Sequence, residues 1–203
     1  MKIRKNHQTA IVLFALAAVI IAYVLMNPVS RLKTPGVVGE VHEHADFKAY
    51  LLGTAIDFTQ EKYQSTDNKT LSPFIHLHDG NGNVLHKHAT GATLGLFFKS
   101  LNMHFNSTCF IIDDGTPYCN SSQNTLKLYV NGKQNSEFGE YELNDLDKIL
   151  ISYGPSDDAS IPSQLSSISD EACIYSETCP EKGKPPTDES DCTSSGNGCI
   201  PTA

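Results

Sequence analysis

The chain has 203 residues, with 15 Lys and Arg against 23 Asp and Glu, and five of the basic residues precede position 36, where no acidic residue occurs. The remainder therefore holds 10 basic and 23 acidic residues, a net charge of −13. Such an acidic domain repels nucleic acid and anionic lipid and attracts cations, so we expect no nucleic-acid partner.

The N-terminal region predicts a single membrane anchor. Residues 1–8 are basic and residues 9–26 carry no charge, which approaches the roughly 20 apolar residues that span a bilayer. A cleaved signal would have a shorter apolar region that ends in an Ala-x-Ala-like site, whereas this apolar run continues to the Asn27-Pro28 pair, so an uncleaved signal anchor is favoured over a cleaved signal peptide. The positive-inside rule keeps the basic tip in the cytoplasm and exports the rest, to the periplasm or the cell surface.

The predicted organisation has four parts. They are a basic tip and anchor at 1–26, a linker at 27–40, a His-rich α+β domain at 41–154 and a tail rich in Ser, Pro and Cys at 155–203. Beyond a short helix predicted at 161–172, the tail is too polar to build an apolar core and must rely on disulfides. It contains no histidine, so its deletion is predicted to leave metal binding intact.

The exported domain opens with a strand that has a polar face bearing histidines. In residues 42–51 the odd-numbered positions from Ala45 are apolar, whereas the even-numbered positions begin with His42, His44 and Asp46. Side chains alternate between the two faces of a strand, so these three polar groups share a face.

Two further His-x-His triplets, His76 with His78 and His86 with His88, flank a turn around Asn81. Directly opposed residues of an antiparallel pair share a face, so an odd loop of three or five residues brings all four imidazoles together. A two-residue Asn-Gly loop would instead place each histidine opposite an apolar residue. We predict the odd loop, with the intervening Ile and Leu residues on the other face.

This pattern predicts a site for a divalent transition metal. The predicted ligands are His42, His44, Asp46, His76, His78, His86 and His88, with His104 as a candidate further ligand. Imidazole suits zinc, copper(II) or nickel, whereas copper(I) prefers sulfur ligands. So many ligands indicate two ions, or one ion with exchange partners. The alternative without a metal is a solvent-facing polar surface that uses histidine.

After the hairpin, the apolar period changes from two to about 3.6. Apolar residues recur at i, i+3, i+4 and i+7 from Leu94, which predicts an amphipathic helix over 93–103 that covers the sheet, with Thr90 or Thr93 as its N-cap. Strands are expected at 108–112, 126–130 and 148–153. The fold class is therefore α+β, with a mixed or antiparallel sheet and one packed helix.

Six cysteines lie beyond the anchor, and an even number in an oxidising compartment predicts disulfides. We expect a bridge between Cys109 and Cys119 and pairing among the four tail cysteines, which are Cys173, Cys179, Cys192 and Cys199. Three sequons are candidates for glycosylation, at Asn68, Asn106 and Asn120.

The order of hairpin, helix and three strands over residues 74–154 looks like a β-grasp, and LKLYVNGKQ followed by YELNDLDKILISYG is similar to the second half of ubiquitin-like domains. The whole arrangement, with HEHADF, HLHDGNG, HKHATG, TLGLFFKSLN, VNGK and CIYSETCPEKGKPP, resembles a group of uncharacterised membrane-anchored proteins of archaea and little-cultured bacteria. Some of these are labelled protein-disulfide isomerase. That label implies thiol exchange, which uses Cys-x-x-Cys, and no two cysteines here are three apart.

We therefore expect a membrane-tethered extracytoplasmic protein that captures, buffers or passes on a transition-metal ion, with a metal-exchange protein as a candidate partner. The first alternative is a metalloenzyme in which three histidines hold an ion with an open water position, and Glu43 or Asp79 acts as the base. The lower alternative is a thiol–disulfide oxidoreductase.

Overall fold

The computed structural model describes residues 34–66 and 69–186, together with Leu13, Phe14 and Leu16. The chain separates into two units, Met1–Leu32 and Lys33–Ala203, and the three described residues of the first unit are helical. Among the described residues, no helix has the length and apolar character needed to cross a bilayer. Apart from those three residues, the predicted tip and anchor lie outside the described residues.

The second unit is built on a mixed sheet with a parallel pair of strands at its centre. Its strands are β1 Glu43–Leu51, β2 Thr54–Ala55, β3 Ile75–His76, β4 Val84–Lys87, β5 His104–Phe105, β6 Cys109–Ile111, β7 Pro117–Cys119, β8 Asn124–Val130, β9 Lys133–Asn135 and β10 Lys148–Pro155. The main sheet has the order β3-β4-β1-β10-β8-β9, and β2 pairs with the end of β1. Only β1 and β10 are parallel among these described pairs.

Three short α-helices accompany the strands, namely α1 Leu94–Ser100, α2 Ile161–Ser166 and α3 Ala172–Tyr175. There are also single 3-10 turns at Glu61–Tyr63, Phe138–Glu140 and Pro180–Lys182. Helix α1 begins where the Thr93 hydroxyl accepts a hydrogen bond from Leu96 N, which confirms one of the two predicted N-caps. It ends earlier than predicted, because Asn102 is left-handed (φ 58°) and Met103 N returns to Phe98 O at 2.9 Å.

One face of the main sheet carries the principal core. The odd-numbered residues of β1, from Ala45 to Leu51, are buried there, and Phe47 contacts Phe97 of α1 edge to face at 5.7 Å between ring centroids. The predicted apolar stripe of α1 is buried along its whole length. Alternation in the strand and the 3.6-residue period in the helix therefore place their apolar sides against each other, as the sequence predicts.

The opposite face of the sheet carries a smaller core that the tail helps to build. Leu150 of β10 packs with Ile161 and Ile168 of the tail, and Tyr50 and Leu165 border them. These tail residues all lie within 161–172, the segment predicted as a short helix, and beyond it the bridge between Cys173 and Cys179 agrees with the expected reliance on disulfides. A few apolar tail residues suffice, because the sheet supplies the other half of the core.

A second sheet of three antiparallel strands, β5-β6-β7, follows α1. Cys109 and Cys119 are directly opposed in it and form the predicted disulfide. In the tail, Cys173 and Cys179 are bridged, so no described cysteine is free. The remaining two cysteines, Cys192 and Cys199, lie outside the described residues.

Two of the three predicted glycosylation sequons lie within the described residues. Asn68 lies outside the described residues. The Asn106 amide accepts hydrogen bonds from the following Thr108 and Cys109, and the Asn120 amide bridges Ser107 O and Leu126 N. Both described asparagine side chains therefore have structural roles in the folded chain.

Taken together, an α+β class with a mixed sheet, a packed helix and disulfides is confirmed.

The packing of α1 leads to a prediction about stability. A Cβ at Gly95 would lie 2.7 Å from the carbonyl oxygen of Gly139, which no real contact of this kind tolerates. Gly95→Ala should lower the free energy of unfolding by about 1–3 kcal/mol, because the 138–140 turn must move away. Urea denaturation of the full chain measures this, with Lys99→Ala in the same helix as the control. Equal stability of the two variants would contradict the packing.

Candidate metal centre

The histidines come together because three neighbouring strands bring them into register. His76 of β3 lies directly opposite His86 of β4, and His86 lies directly opposite His44 of β1. Directly opposed residues share a face of the sheet, so these three imidazoles form a row across the strands. His42 and His88 lie just outside β1 and β4, two residues along from His44 and His86, and their rings stack at 4.9 Å between centroids.

The register confirms the predicted odd parity of the loop, but the predicted length of three or five residues is wrong, because residues 77–83 separate β3 from β4. His76 pairs with His86 across an odd number of intervening residues, so the two-residue Asn-Gly loop is excluded. The tight turn itself falls two residues earlier than the sequence suggests, because Asp79 and Gly80 both have positive φ (59° and 66°) and Asn81 N bonds to His78 O at 3.1 Å. Asn81 is thereby released to contact the tail.

All six predicted histidines form one closed ring of imidazoles, which we call the six-histidine cluster. Going round it, the ring centroids are separated by 4.6 Å (His42–His44), 4.8 Å (His44–His86), 3.9 Å (His86–His78), 5.5 Å (His78–His76), 4.9 Å (His76–His88) and 4.9 Å (His88–His42). Each imidazole therefore has two imidazole neighbours, an arrangement that concentrates nitrogen donors at one place.

Most of the cluster is shielded from water. His44, His86 and His88 are at most 1% exposed and His76 is 7% exposed, whereas His42 is exposed and His78 is partly so. The alternative of a solvent-facing histidine surface is therefore wrong for four of the six. The two accessible imidazoles mark the edges at which the cluster meets solvent.

One subset of the cluster has its donor atoms already close together. The candidate ligand atoms of His42, His44 and His86 all lie within 4.8 Å of one another, and the two Nε2 atoms of His42 and His44 are 3.2 Å apart. Two nitrogens bound to one zinc ion at the usual bond length in a tetrahedron lie ~3.3 Å apart. Small movements of His86 would complete a three-nitrogen site.

Three histidines have their Nδ1 atoms held from outside the cluster. His76 Nδ1 lies 2.8 Å from the Ser72 carbonyl oxygen, and His78 Nδ1 lies 2.7 Å from Asp79 Oδ2. A carbonyl oxygen and a carboxylate oxygen only accept, so Nδ1 carries the proton in each ring and Nε2 carries the lone pair.

His44 is held in the same way through a short relay. Its Nδ1 lies 2.8 Å from Ser176 Oγ, and that hydroxyl donates to Asp145 Oδ1 at 2.5 Å. Since the serine proton is directed to the carboxylate, Ser176 Oγ accepts from His44 Nδ1–H. His44 Nε2 therefore holds the lone pair, close to His42.

The tail forms the cover of the cluster, contrary to the expectation that it plays no part. The Tyr175 ring lies 4.9 Å from His86 and 5.7 Å from His44 between centroids, and its hydroxyl accepts from Asn81 Nδ2 at 3.0 Å. With Ser176 bonded to His44, two consecutive tail residues contact the site. The tail contains no histidine, so the effect of its deletion on metal binding stays a prediction, to which these contacts add a second consideration.

Asp46 holds this cover in place and does not join the imidazoles. Its Oδ1 accepts from Ser169 Oγ at 2.6 Å and Glu171 N at 2.9 Å, and its Oδ2 accepts from Ala172 N at 3.2 Å. The buried carboxylate thus satisfies backbone donors at the start of α3. The structure gives it the role of a cap for the tail.

The other predicted polar groups are also accounted for. His104 is exposed on β5 of the second sheet and bonds to Asn106 at 2.8 Å, so it is not brought to the cluster. Glu43, a base in the metalloenzyme alternative, pairs with the buried Lys87 at 2.7 Å. Asp79, the other candidate base, is bonded to His78.

Burial keeps the four shielded imidazoles neutral. It lowers the pKa of His44 to about 3, of His76 to about 4 and of His88 to about 2, and repulsion between neighbouring imidazolium charges adds to each shift. The pKa of His86 is lowered for the same reasons. Neutral imidazole is the form that binds metal ions.

Comparison with known proteins adds no assignment, since no family model, curated protein or solved structure matches the chain. The resemblance to the membrane-anchored group stays a prediction. The function is therefore inferred from the geometry of the six-histidine cluster.

Sequence reasoning missed Tyr175, Ser176 and Asp145. The first two lie between the bridged Cys173 and Cys179, and a short disulfide loop is the one local signal that this segment has a fixed shape. Nothing local shows which surface the loop meets, because that depends on the packing of α2 and on the distant Asp46.

The lowered pKa values predict acid sensitivity of the metal-free protein. In the unfolded chain these imidazoles take up protons below their usual pKa of about 6.5, while the folded state resists protonation down to pH 4 or lower. Stability should therefore be full above pH 6.5 and fall as the pH decreases, by about 2 kcal/mol per buried imidazole between pH 6.5 and 5.

Urea denaturation of the chelator-treated chain at pH 7 and pH 5 measures this loss. His88→Gln should reduce the pH dependence, and His104→Gln, which changes an exposed histidine, should not. A denaturation midpoint that is the same at both pH values would contradict the assigned burial.

Proposed function

We propose that this protein binds a divalent transition-metal ion through His42, His44 and His86. These side chains have donor atoms within 4.8 Å of one another, with His44 and His86 on two adjacent strands and His42 just before the first of them. Strand backbones fix donor positions better than loops do, which lowers the cost of organising the site.

The observation that carries this proposal is the closeness of these donor atoms, and the Nδ1 bonds around the six-histidine cluster support it. His44, His76 and His78 each give Nδ1–H to an outer acceptor, respectively a serine hydroxyl, a backbone carbonyl and a carboxylate. Histidines that bind metals through Nε2 are oriented in this way by their second ring nitrogen. A surface histidine has no need of such a partner.

The donor chemistry supports zinc, copper(II) or nickel as the ion. Imidazole nitrogen suits these metals, whereas magnesium and calcium require oxygen ligands. Asp46 is the one carboxylate among the ligands predicted from the sequence, and it accepts hydrogen bonds from the tail. The described cysteines are bridged, which disfavours copper(I).

The accessibility of the cluster supports capture and exchange of the ion. His42 is exposed and His78 is partly exposed, so an ion can be taken up at one edge and passed to the buried imidazoles. Capture, buffering or transfer in an extracytoplasmic compartment, from a membrane anchor and with a metal-exchange partner, is the role we propose. The disulfides support an oxidising compartment.

The fold of this metal-binding domain is proposed to be β-grasp-like. Five strands in the order β4-β1-β10-β8-β9, with β1 parallel to β10 and α1 between β4 and β8 in the chain, support that description. The sequence suggested the β-grasp resemblance over residues 74–154. The first strand of the proposed β-grasp is β1, which precedes that region.

Metal binding is tested by titrating the purified, chelator-treated full chain with zinc, copper(II) and nickel in turn, using calorimetry. We expect at least one ion to bind with micromolar or better affinity. His44→Ala with His86→Ala should remove at least one bound ion per chain, and His104→Ala should leave the binding unchanged. Because the double variant removes buried groups, its fold is checked by circular dichroism. Absence of binding of all three metals by the native chain would refute the proposal.

The relay behind His44 gives a second, milder test. Ser176→Ala removes the acceptor that holds His44 Nδ1–H, and loss of such an outer partner typically lowers metal affinity by about 10–100-fold. Ser166→Ala, an exposed serine of the neighbouring α2, is the matched control. Equal zinc affinity of the two variants would show that the tail is irrelevant to the site.

A further inference from the structure

We infer that the remaining three histidines, His76, His78 and His88, form a second transition-metal site beside the first. This inference rests on the proposed function, since it extends the same cluster. It decides between the two readings that the sequence left open, two ions or one ion with exchange partners, in favour of two.

His88 is the observation that points most directly to a second ion. It is 1% exposed, and neither of its ring nitrogens has a hydrogen-bond partner among the described residues. A buried polar group left unsatisfied costs roughly 1–3 kcal/mol, so such groups in native proteins call for an ion, a water or a functional reason. His88 lies between His42 and His76, at 4.9 Å from each ring centroid, so its near surroundings are other nitrogen donors.

The other two members are oriented as ligands. His76 and His78 both give Nδ1–H to outer acceptors, which leaves Nε2 as the lone-pair nitrogen in each ring. Their centroids are 5.5 Å apart, and His76 stacks on His88 with 26° between the ring planes. Rotations of these side chains about their χ angles bring three nitrogens to one ion.

A single ion would leave some of the six imidazoles without a bound metal. A zinc ion takes four ligands, usually three from the protein when one position stays open, whereas the cluster offers six imidazoles. Four of the six histidines divide by strand, while His86 and His88 lie in and just after β4. His42 and His44 of the first set lie on or just before β1, while His76 and His78 of the second set lie in or just after β3.

Each set has its own carboxylate behind it. Asp145 lies behind His44 through Ser176, and Asp79 is bonded directly to His78. Two dications close together repel each other, so negative charge at both ends of the cluster is what a two-ion site requires. A single-ion site would need only one of these carboxylates.

Ion counting tests the second site. The full chain is saturated with zinc, freed of excess metal by gel filtration and analysed by elemental analysis, and close to two ions per chain are expected. His76→Gln with His88→Gln should reduce this to one, His42→Gln with His44→Gln should also leave one, and His104→Gln should leave two.

The outcomes separate the two proposals. One ion in the native chain that persists after His76→Gln with His88→Gln would overturn the second site and leave the proposed function standing. One ion that is lost in both double variants would mean a single shared ion, which also overturns the second site. No ion in the native chain would remove the proposed function as well.

Spectroscopy of the unaltered chain avoids any effect of substitution on folding. Two copper(II) ions in adjacent sites couple magnetically, so the fully loaded protein should show a half-field signal in electron paramagnetic resonance, and the protein loaded with one equivalent should show much less of it. A fully loaded spectrum with only isolated copper(II) signals would overturn the two-ion site.

Discussion

The register of β1, β4 and β3 is the constraint on which the rest of the site depends. Because His44, His86 and His76 are directly opposed across these strands, their imidazoles share one face. A slip of one residue between any two strands would send a whole set of histidines into the apolar core. The apolar residues on the other face, such as Phe47, fix the register by packing against α1, so the core and the metal centre are set by the same pairing.

The face of the main sheet that carries the histidines is covered by another segment of the chain. Polar groups buried without partners are costly, and here the cover is provided by tail residues that bring their own partners, with Ser176 bonded to His44. Asp46, the carboxylate that continues the histidine face, holds the cover by accepting hydrogen bonds from the start of α3. One strand face therefore supplies both the ligands and the attachment of the segment that shields them.

In the proposed function, this arrangement links affinity to exchange. Shielded imidazoles stay neutral and remain ready to bind, whereas His42 and His78 at the accessible edges can reach an incoming ion. Burial of four neutral histidines lowers the stability of the metal-free fold in acid. An ion that binds the folded form and not the unfolded form would stabilise the domain. Metal occupancy, stability and the position of the tail are thus expected to change together.

The sequence by itself determined which side chains share a face. Strict alternation in residues 42–51 and in the two later His-x-His triplets separates histidine from core, the 3.6-residue period predicts α1, and the opposed Cys109 and Cys119 are close in sequence. These features follow from local backbone geometry. Only the tertiary structure decided that β1 pairs with β4 across about 40 residues, that Asp46 caps the tail, and that Tyr175 covers the cluster. Such contacts depend on which surfaces fit each other once the core is formed, and no local period encodes that fit.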